Sequence, residues 1–252
     1  MKTAIVIPAR YASKRLPGKP LLRRTGKYLI QHVYERARES KLADRVIVAT
    51  DDTRIFAAAK SFGADVVMTQ RRHPSGTDRI AEVVRDLDVD VVINLQGDEP
   101  LVDPEALDRL PQIMAEDPNA DMATLAVPLR NRQQWLNPNC VKVVCDQRSR
   151  ALYFSRSPIP FVRDGEPRFD ADPPLFLQHL GLYAYRRPVL LRLASAQREP
   201  FEQLESLEQL RALALGYRIH VGVIQQTAIG VDTLEDYDRF VEEYRLALAE
   251  AA

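Results

Sequence analysis

Residues 45–68 read RVIVATDDTRIFAAAKSFGADVVM. The stretch starts with RVIVA at 45–49, which is apolar after Arg45, and ends with an apolar run at 66–68; between them apolar side chains recur at 55, 56, 59 and 62. This recurrence is typical of one helix face, and Gly63 follows where a left-handed residue usually ends a helix. The stretch therefore predicts a strand–helix–strand unit. Strands that are almost continuously apolar are typical of a parallel sheet covered by helices on both faces.

The same alternation of strand and helix patterns continues on both sides of this stretch. Predicted strands lie at residues 3–7, 91–95, 121–127, 141–145, 181–185 and 219–223. Predicted helices lie at residues 30–37, 80–87, 204–213 and 237–248. The spacing becomes irregular beyond about residue 120, and prolines crowd residues 157–174, where we expect an irregular loop. The pattern as a whole predicts an α/β fold.

Composition excludes several classes of protein. The 252 residues include 35 basic and 35 acidic side chains, so the formal net charge is zero. Nucleic-acid binders and polybasic membrane binders usually carry a net basic field, and neither class is expected here. No window approaches the roughly 18–20 apolar residues of a membrane span. The composition is that of a soluble globular protein in which any anion site is local.

The cysteines and the N-terminal run indicate a cytoplasmic location. The apolar run at 4–7 is too short for the core of a signal peptide. Cys140 and Cys145 lie on one predicted strand segment, and two cysteines are too few for a disulfide framework or a typical zinc site. We interpret both as reduced packing residues in a cytoplasmic protein.

A basic loop follows the first predicted strand. Residues 8–20 read PARYASKRLPGKP and contain Arg10, Lys14, Arg15 and Lys19. Ligands of open α/β sheets bind at the carboxyl ends of strands, and cations beside Gly18 suit a triphosphate. The loop matches neither the Walker A motif nor the dinucleotide-binding motif. The alternative interpretation is an ordinary solvated basic loop.

Two aspartates are candidates for a magnesium site. Asp98 follows the apolar run at 91–95, at the sheet edge expected to carry the basic loop, and Mg²⁺ typically uses one or two carboxylates with phosphate oxygens. Asp232 is the second candidate, although Thr233 and Asp236 also form a capping pair for the last helix. An ordinary turn at Asp98 and a helix start at Asp232 remain the alternatives.

A run of alternating aspartates offers a further acidic motif. Asp86, Asp88 and Asp90 have the spacing found in many glycosyltransferases, but they precede their strand and so lie at the wrong end of the sheet for a ligand.

The second half of the chain contributes candidate ligands for a hydroxylated acid. An arginine such as Arg156 pairs well with a carboxylate, and the other candidates offer hydrogen bonds to hydroxyls. Those others are His179, Tyr183, Glu208 and Gln209. Each is also explained by an ordinary structural or solvated role.

Nine segments in this order resemble one family. They are residues 8–21 (PARYASKRLPGKPL), 73–79 (HPSGTDR), 94–100 (NLQGDEP), 122–128 (MATLAVP), 137–144 (NPNCVKVV), 151–156 (ALYFSR), 179–185 (HLGLYAY), 204–211 (LESLEQLR) and 230–233 (GVDT). Together they resemble the 3-deoxy-manno-octulosonate (KDO) cytidylyltransferases, and the resemblance runs from residue 1 to about residue 245.

The resemblance implies an architecture and a reaction. It implies a single nucleotidyltransferase domain with a mostly parallel Rossmann-like sheet flanked by helices and a smaller sugar-binding and dimerisation lobe. Residues 1–130 would form most of the CTP-binding core, residues 131–225 the lobe, and residues 226–252 the C-terminal metal ligand and helix. The chain would be a cytoplasmic homodimer that uses CTP, KDO and Mg²⁺ in lipopolysaccharide synthesis, without a nucleic-acid or membrane partner.

The resemblance also implies roles for individual residues. The residues that it places at CTP are Ala9, Arg10, Lys19, Ser75 and Arg79. Those that it places on the sugar side are Gln96, Arg156, His179, Tyr183, Glu208 and Gln209. Asp98 and Asp232 match the family's magnesium carboxylates, and Lys19 and Arg15 would stabilise phosphate charge during catalysis.

These roles imply a mechanism, and alternative functions remain to be compared with it. The anomeric hydroxyl of the sugar acid would attack the α-phosphorus of CTP in line and displace pyrophosphate. The nearest alternative is a cytidylyltransferase for another sugar acid, such as 8-amino-KDO or sialic acid. A metal-dependent glycosyltransferase and a non-catalytic nucleotide sensor are further alternatives.

Overall fold

The computed structural model of the chain describes residues 1–12, 15–225 and 230–250. The strands are β1 (Thr3–Ala9), β2 (Arg45–Thr50), β3 (Asp65–Met68), β4 (Val91–Asn94), β5 (Met122–Pro128), β6 (Lys142–Cys145), β7 (Ala151–Ser155), β8 (Leu177–Arg186) and β9 (Ile219–Val223). The helices are α1 (Leu29–Arg38), α2 (Thr53–Ser61), α3 (Gly76–Val84), α4 (Pro104–Glu116), α5 (Arg132–Leu136), α6 (Arg187–Ser195), α7 (Pro200–Glu205), α8 (Gln209–Ala214) and α9 (Leu234–Glu250).

The chain forms two compact units. One comprises Met1–Asp108 together with Ala228–Ala252, and the other comprises Arg109–Thr227. The predicted division at 1–130, 131–225 and 226–252 assigns a function to each segment, and that assignment stays a prediction.

The first unit contains the parallel sheet that residues 45–68 predicted. Its strand order is β3-β2-β1-β4, and every pair in that order is parallel. All seven residues of β1 are buried, as expected for a central strand covered on both faces. Helices α1, α2 and α3 pack against these strands, and Gly63 has the left-handed conformation predicted for it, with φ +78°.

The C-terminal helix α9 belongs to the first unit. Its Tyr237, Phe240 and Val241 are buried in a cluster with Leu29 of α1 and with Val231. The Tyr237 hydroxyl also accepts a hydrogen bond from the backbone N–H of Arg24 at 2.8 Å. The helix prediction at 237–248 is confirmed, and the packing holds residues 231–233 beside the β1 edge.

The second unit contains a mixed sheet. Strand β5 pairs with β8 in antiparallel orientation and with β9 in parallel orientation. Strand β6 lies antiparallel to both β7 and β8. The strand at 219–223 is as predicted, and the one at 121–127 is displaced by one residue.

The single helix predicted at 204–213 is wrong. Helix α7 ends at Glu205, the next residue Ser206 has a left-handed backbone with φ 52°, and α8 starts only at Gln209. A capping box between Glu199 and Glu202 starts α7 with Pro200 in its first turn. The leucine spacing therefore runs through a break, and Leu204 is exposed.

Other predictions at the element ends need correction. Cys140 lies outside β6, so the two cysteines do not share a strand, although both are free thiols. Strand β8 begins at Leu177, four residues before the predicted start, so His179 lies within the strand. The sequence pattern also failed to predict β7, α4, α5 and α6, and it extended α3 to Leu87, three residues beyond its end.

Within the described ranges, no helix combines the length and hydropathy needed to cross a bilayer.

Candidate active site

A cavity of about 240 Å³ opens at the carboxyl ends of β1 and β4 in the first unit. Its lining residues are Pro8, Ala9, Arg10, Ala12, Lys19, Pro20, Gly76, Gln96, Gly97 and Asp98. The cavity thus brings together the basic loop and the segment after β4, as the position of both at one sheet edge predicted. Lys14 of the same loop lies outside the described residues.

Lys19 occupies the centre of the charge network beside this cavity. Its side chain is buried, and Nζ donates to Oδ2 of Asp98 at 2.6 Å and to the backbone oxygen of Val231 at 2.9 Å. Nζ also lies 3.5 Å from Oδ1 of Asp232. A buried ammonium needs charged or polar partners, so Lys19 is not part of a solvated loop.

The capping pair predicted beside Asp232 is present, and the Asp232 carboxylate takes no part in it. Its Oδ1 lies 2.9 Å from Nη2 of Arg15, which is largely exposed. The adjacent Thr233 and Asp236 form the reciprocal hydrogen bonds of a helix start, with Thr233 Oγ1 accepting from the N–H of Asp236 at 3.1 Å and donating to its carboxylate at 2.9 Å. The cap is therefore made by the neighbours of Asp232, which leaves its own carboxylate for the cations.

A backbone contact places the two aspartates side by side. The N–H of Val231 donates to the carbonyl oxygen of Asp98 at 2.7 Å. This bond ties the segment before α9 to the segment after β4, although more than 130 residues separate them in the chain. Two carboxylates and a lysine converge as a result.

Two glycines allow the backbone to approach closely here. A Cβ on Gly97 would lie 3.1 Å from the carbonyl oxygen of Pro8 and 3.2 Å from Cδ1 of Ile30. Gly18 has φ +71° and lies under the ring of Tyr11, with its N–H donating to the Tyr11 carbonyl at 3.0 Å. A side chain at Gly97 would press on the Pro8 backbone, and one at Gly18 would press on the Tyr11 ring from a strained left-handed backbone, so the glycines shape the site.

Ser75 caps the helix that borders the cavity. Its hydroxyl accepts from the N–H of Asp78 at 3.2 Å, and Asp78 Oδ2 accepts from the N–H of Ser75 at 3.1 Å. This capping box starts α3, whose first residue, Gly76, lines the cavity. The partial positive charge of the helix N-terminus therefore lies at the cavity wall and favours an anion.

Arg79 lies in the first turns of α3 and is completely buried. Its Nη2 pairs with Oδ1 of Asp51 at 3.1 Å, and Nη1 donates to the hydroxyl of Thr69. Burial lowers the pKa of Arg79, the Asp51 carboxylate raises it, and nearby Arg10 lowers it. Buried donor atoms on both arginines, Nε of Arg79 and Nη2 of Arg10, have no hydrogen-bond partner among the described residues.

The sequence pattern did not reveal two carboxylates in this unit. Asp51 follows β2 and neutralises Arg79, and only its position at a strand end could have suggested it. Glu99 follows Asp98 directly, and desolvation, together with the charges of Asp98 and Asp232, raises its pKa to about 7.

Gln96 lies in the first unit and lines the cavity. Its Nε2 donates to Oδ1 of Asn94 at 2.8 Å. The resemblance placed Gln96 on the sugar side, which stays a prediction.

The second unit brings two of the predicted sugar ligands together. The rings of His179 and Tyr183 lie 5.2 Å apart between centroids, and both side chains are buried. Burial lowers the pKa of His179 to about 3. Burial, Tyr185 and Glu208 together raise the pKa of Tyr183 well above its ordinary value, so Glu208 lies within electrostatic range of the phenol.

Two buried polar atoms of the second unit lack a hydrogen-bond partner among the described residues. The Tyr183 hydroxyl and Nε2 of Gln209 have no hydrogen-bond partner in the described part of the chain. Because buried polar groups are normally hydrogen-bonded, such atoms are expected where a polar ligand binds.

Arg156 is held by backbone oxygens. Its Nε donates to the carbonyl of Glu205 at 2.7 Å and its Nη1 to that of Pro138 at 3.0 Å. The fully buried Lys142 donates to the carbonyl of Arg156 at 2.6 Å and to that of Asn137 at 2.9 Å. Burial lowers the pKa of Lys142, whose role the sequence pattern did not indicate. These contacts orient Arg156 without neutralising its charge, which leaves it able to pair with a carboxylate.

Comparison with known proteins identifies the kinds of protein that this chain is similar to. The family model described as cytidylyltransferase matches residues 4–219. A 3-deoxy-manno-octulosonate cytidylyltransferase of Syntrophotalea carbinolica is 49% identical over 242 residues, which cover 95% of this chain and 97% of the relative. A protein of the same name from Syntrophobacter fumaroxidans is 50% identical over 244 residues, covering 96% of each chain.

Solved structures agree with these relatives. The structure of CMP:2-keto-3-deoxy-manno-octonic acid synthetase complexed with CTP is similar with a TM-score of 0.88 and 44% identity, and the match covers 100% of both chains. A cytidylyltransferase of Leptospira borgpetersenii matches with a TM-score of 0.62 at 21% identity, covering 94% of this chain and 84% of the other, and shares the fold.

Proposed function

Because the chain belongs to the 3-deoxy-manno-octulosonate cytidylyltransferase family, we infer that it activates KDO with CTP. The reaction joins the anomeric oxygen of KDO to the α-phosphorus of CTP and breaks the bond from that phosphorus to the bridging oxygen of the leaving diphosphate. The products are CMP-KDO and pyrophosphate, and the hydroxyl proton is lost to solvent.

One observation carries this function at the level of the site. Lys19 is buried between Asp98 and Asp232 at the wall of a cavity that also contains Arg10 and the N-terminus of α3. A non-catalytic pocket for a neutral ligand needs neither a buried ammonium nor a pair of converging carboxylates. A triphosphate with an associated cation needs both kinds of charge.

The donor set at this site suits Mg²⁺. Asp98 and Asp232 provide hard carboxylate oxygens, and Lys19 Nζ already lies against one oxygen of each. Among the described residues no cluster of three or more His, Cys, Asp or Glu side chains could hold a metal, which fits an ion that takes its remaining ligands from phosphate and water. Asp98 and Asp232 would hold the ion, and it would supply neutralisation of phosphate charge.

The chain's own residues perform the remaining tasks. Arg10 and the first turn of α3 bind phosphate oxygens or nucleotide acceptors, and their fixed positions supply charge stabilisation without reorganisation. Lys19 and Arg15 balance the charge of the carboxylates before substrate binds and that of the phosphates afterwards. On the sugar side, Arg156 pairs with the acid, and the buried polar atoms of Tyr183 and Gln209 satisfy hydroxyls.

Assembly and location are further parts of the proposal. The second unit exposes large apolar side chains that suit contact with a second copy of the chain. They include Leu152, Phe161, Leu175 and Leu204. We propose a homodimer that works in the cytoplasm, where CTP is available, and a product that is consumed in lipopolysaccharide synthesis. Light scattering at several concentrations tests the dimer, and a mass that stays at 28.6 kDa would contradict it.

Pyrophosphate release from CTP and Mg²⁺ tests the reaction. The acceptors to compare are KDO, 8-amino-KDO, sialic acid and water alone. We expect release only with KDO, and loss of release when the metal is chelated. Preference for another acid would support the cytidylyl-transfer reaction but identify a different substrate. CTP binding without pyrophosphate release under any condition would favour the nucleotide-sensor alternative.

A matched pair of variants connects the reaction to the site. Asp98→Asn is expected to reduce release strongly, while Asp86→Asn, at an exposed aspartate before β4, is expected to retain it. The reverse result would favour the discounted aspartate motif.

A further inference from the structure

A bulge in the β5–β8 ladder brings His179 and Tyr183 together. Along β5, Ala126 pairs with His179 and Thr124 pairs with Tyr183, so the three residues 124–126 of β5 lie opposite the five residues 179–183 of β8. The register shifts between Thr124 and Leu125, and the two extra residues of β8 are Gly181 and Leu182.

The insertion of two residues determines on which face of the strand the two rings lie and how close they are. Side chains alternate between the faces of a strand, so an insertion of two residues keeps both rings on one face. Residues four apart in a regular strand lie about 13 Å apart, whereas these ring centroids are 5.2 Å apart.

The hydroxyl of Thr124 lies inside the bulge. Its Oγ1 is 2.8 Å from the carbonyl oxygen of Leu182 and 3.1 Å from that of Leu180. A carbonyl only accepts and the hydroxyl has one proton, so that proton is directed to the bulge carbonyls. Oγ1 is then free to act only as an acceptor toward a third group.

That third group is the imidazole of His179. Its Nε2 lies 3.2 Å from Thr124 Oγ1, so the proton of this contact belongs to Nε2. The neutral ring then has an unprotonated Nδ1, to which no described residue donates a hydrogen bond. Phe154 and Tyr183 contact the ring from its other sides through aromatic surface.

We propose that Thr124 is a positioning residue that holds His179 as the Nε2–H tautomer and so makes Nδ1 an acceptor for a hydroxyl proton of the sugar acid. The proposal rests on the proposed function. It identifies a specificity rule, because Nδ1 in this tautomer binds a substituent that donates a proton and rejects one that only accepts. A hydroxyl satisfies it, and a fluorine in the same place does not.

The Tyr183 hydroxyl, beside His179, is compatible with this specificity rule. The buried Tyr183 hydroxyl, also without a described partner, both donates and accepts. His179 and Tyr183 together therefore suit two neighbouring hydroxyls, one of which must donate to the imidazole.

The tautomer is measured directly by ¹⁵N NMR of protein labelled at histidine. We expect the His179 signals of the wild-type chain to report a protonated Nε2 and a bare Nδ1 at neutral pH. A protonated Nδ1 or an imidazolium would overturn the proposal, and this measurement does not depend on turnover.

Two substitutions of Thr124 separate its hydrogen bonds from its packing. Thr124→Val keeps the shape and removes the hydroxyl, and Thr124→Ser keeps the hydroxyl. For Thr124→Val we expect a mixture of His179 tautomers and a KM for KDO raised about 10-fold or more, as for a lost hydrogen bond in a buried site. The KM for CTP should stay within about twofold, and Thr124→Ser should retain the wild-type tautomer and KM.

Controls distinguish the possible failures. Thr53→Val, at an exposed threonine of α2, should leave both KM values unchanged. Equal rises in the two KM values, or an unchanged tautomer in Thr124→Val, would overturn the positioning role. If Thr124→Val does not fold, the wild-type NMR result still decides the matter, because a protonated Nδ1 of His179 contradicts the proposal whatever the variant does. Wild-type protein that fails to use KDO at all would instead refute the proposed function and leave the tautomer measurement standing.

Discussion

The Nζ atom of Lys19 lies 2.6 Å from Oδ2 of Asp98, and the lysine side chain is almost entirely buried. Removing one partner of such a pair leaves the other charge without compensation in a poorly solvated place. The carboxylate end of the pair is more exposed and borders the cavity, so it can exchange partners when a cation and a triphosphate arrive.

Asp98→Asn should therefore reduce kcat strongly. The amide keeps the size and one acceptor oxygen but removes the charge that a divalent cation needs, and we expect a loss of at least about 100-fold. Circular dichroism should remain that of the wild type, because Lys19 keeps the Val231 carbonyl and the Asp232 carboxylate as partners. Steady-state pyrophosphate release measured across Mg²⁺ concentrations checks this, and a fully active variant would contradict the assignment of Asp98.

Asp51→Asn tests whether Arg79 acts at CTP. The guanidinium of Arg79 is completely buried, and Asp51 is the carboxylate in its ion pair. Its loss should destabilise the fold by about 1–3 kcal/mol and raise the KM for CTP more than it lowers kcat. Urea unfolding and initial rates provide the two readouts.

Asp65→Asn, which breaks the exposed pair with Arg45, is the matched control and should change neither the stability nor the KM for CTP. A destabilised variant with an unchanged KM for CTP would make Arg79 purely structural.

The parallel sheet was predictable because its signal is local. Residues 45–68 contain two apolar runs, a helical spacing and a capping glycine, and all of these appear in the structure. The start of β8 was not predictable, since Gln178 and His179 are polar and interrupt the apolar pattern, yet tertiary pairing with β5 holds them in a strand.

The site was predictable only where strand ends gave its position. Asp98 and Lys19 both follow strands of one parallel sheet, so their proximity follows from topology. The Asp51 pairing with Arg79 and the burial of Lys142 depend on contacts between distant residues, and a hydropathy pattern treats all three as surface charges.

Gly97→Ala should damage the site through backbone packing. The added methyl group would lie 3.1 Å from the carbonyl oxygen of Pro8. The backbone must shift to relieve this contact, and the shift would displace the adjacent Asp98. We expect a loss of about 1–3 kcal/mol in the free energy of unfolding and a lower kcat. Gly181→Ala is the matched control for stability, because a methyl group added there would meet no atom within 4 Å, and its free energy of unfolding should stay near that of the wild type. Equal effects of the two substitutions would show that the contact at Gly97 is relieved without cost.

His32 should make stability depend on pH. The imidazole is buried against Phe240 and Tyr244, its Nε2 lies 2.7 Å from the hydroxyl of Thr25, and burial lowers its pKa to about 4. The unfolded chain, with an ordinary pKa near 6.5, binds this proton more readily than the folded chain does between those two values. Stability linked to His32 is therefore present above about pH 6.5 and is lost as the pH falls toward 4.

Between pH 7 and pH 5 the wild type should lose about 2 kcal/mol more free energy of unfolding than His32→Gln, which cannot titrate. The lowered pKa of His179 contributes to both proteins and cancels in this difference. Urea unfolding at pH 7, 6 and 5 measures both slopes, and identical slopes would mean that His32 is protonated in the folded protein as easily as in the unfolded chain.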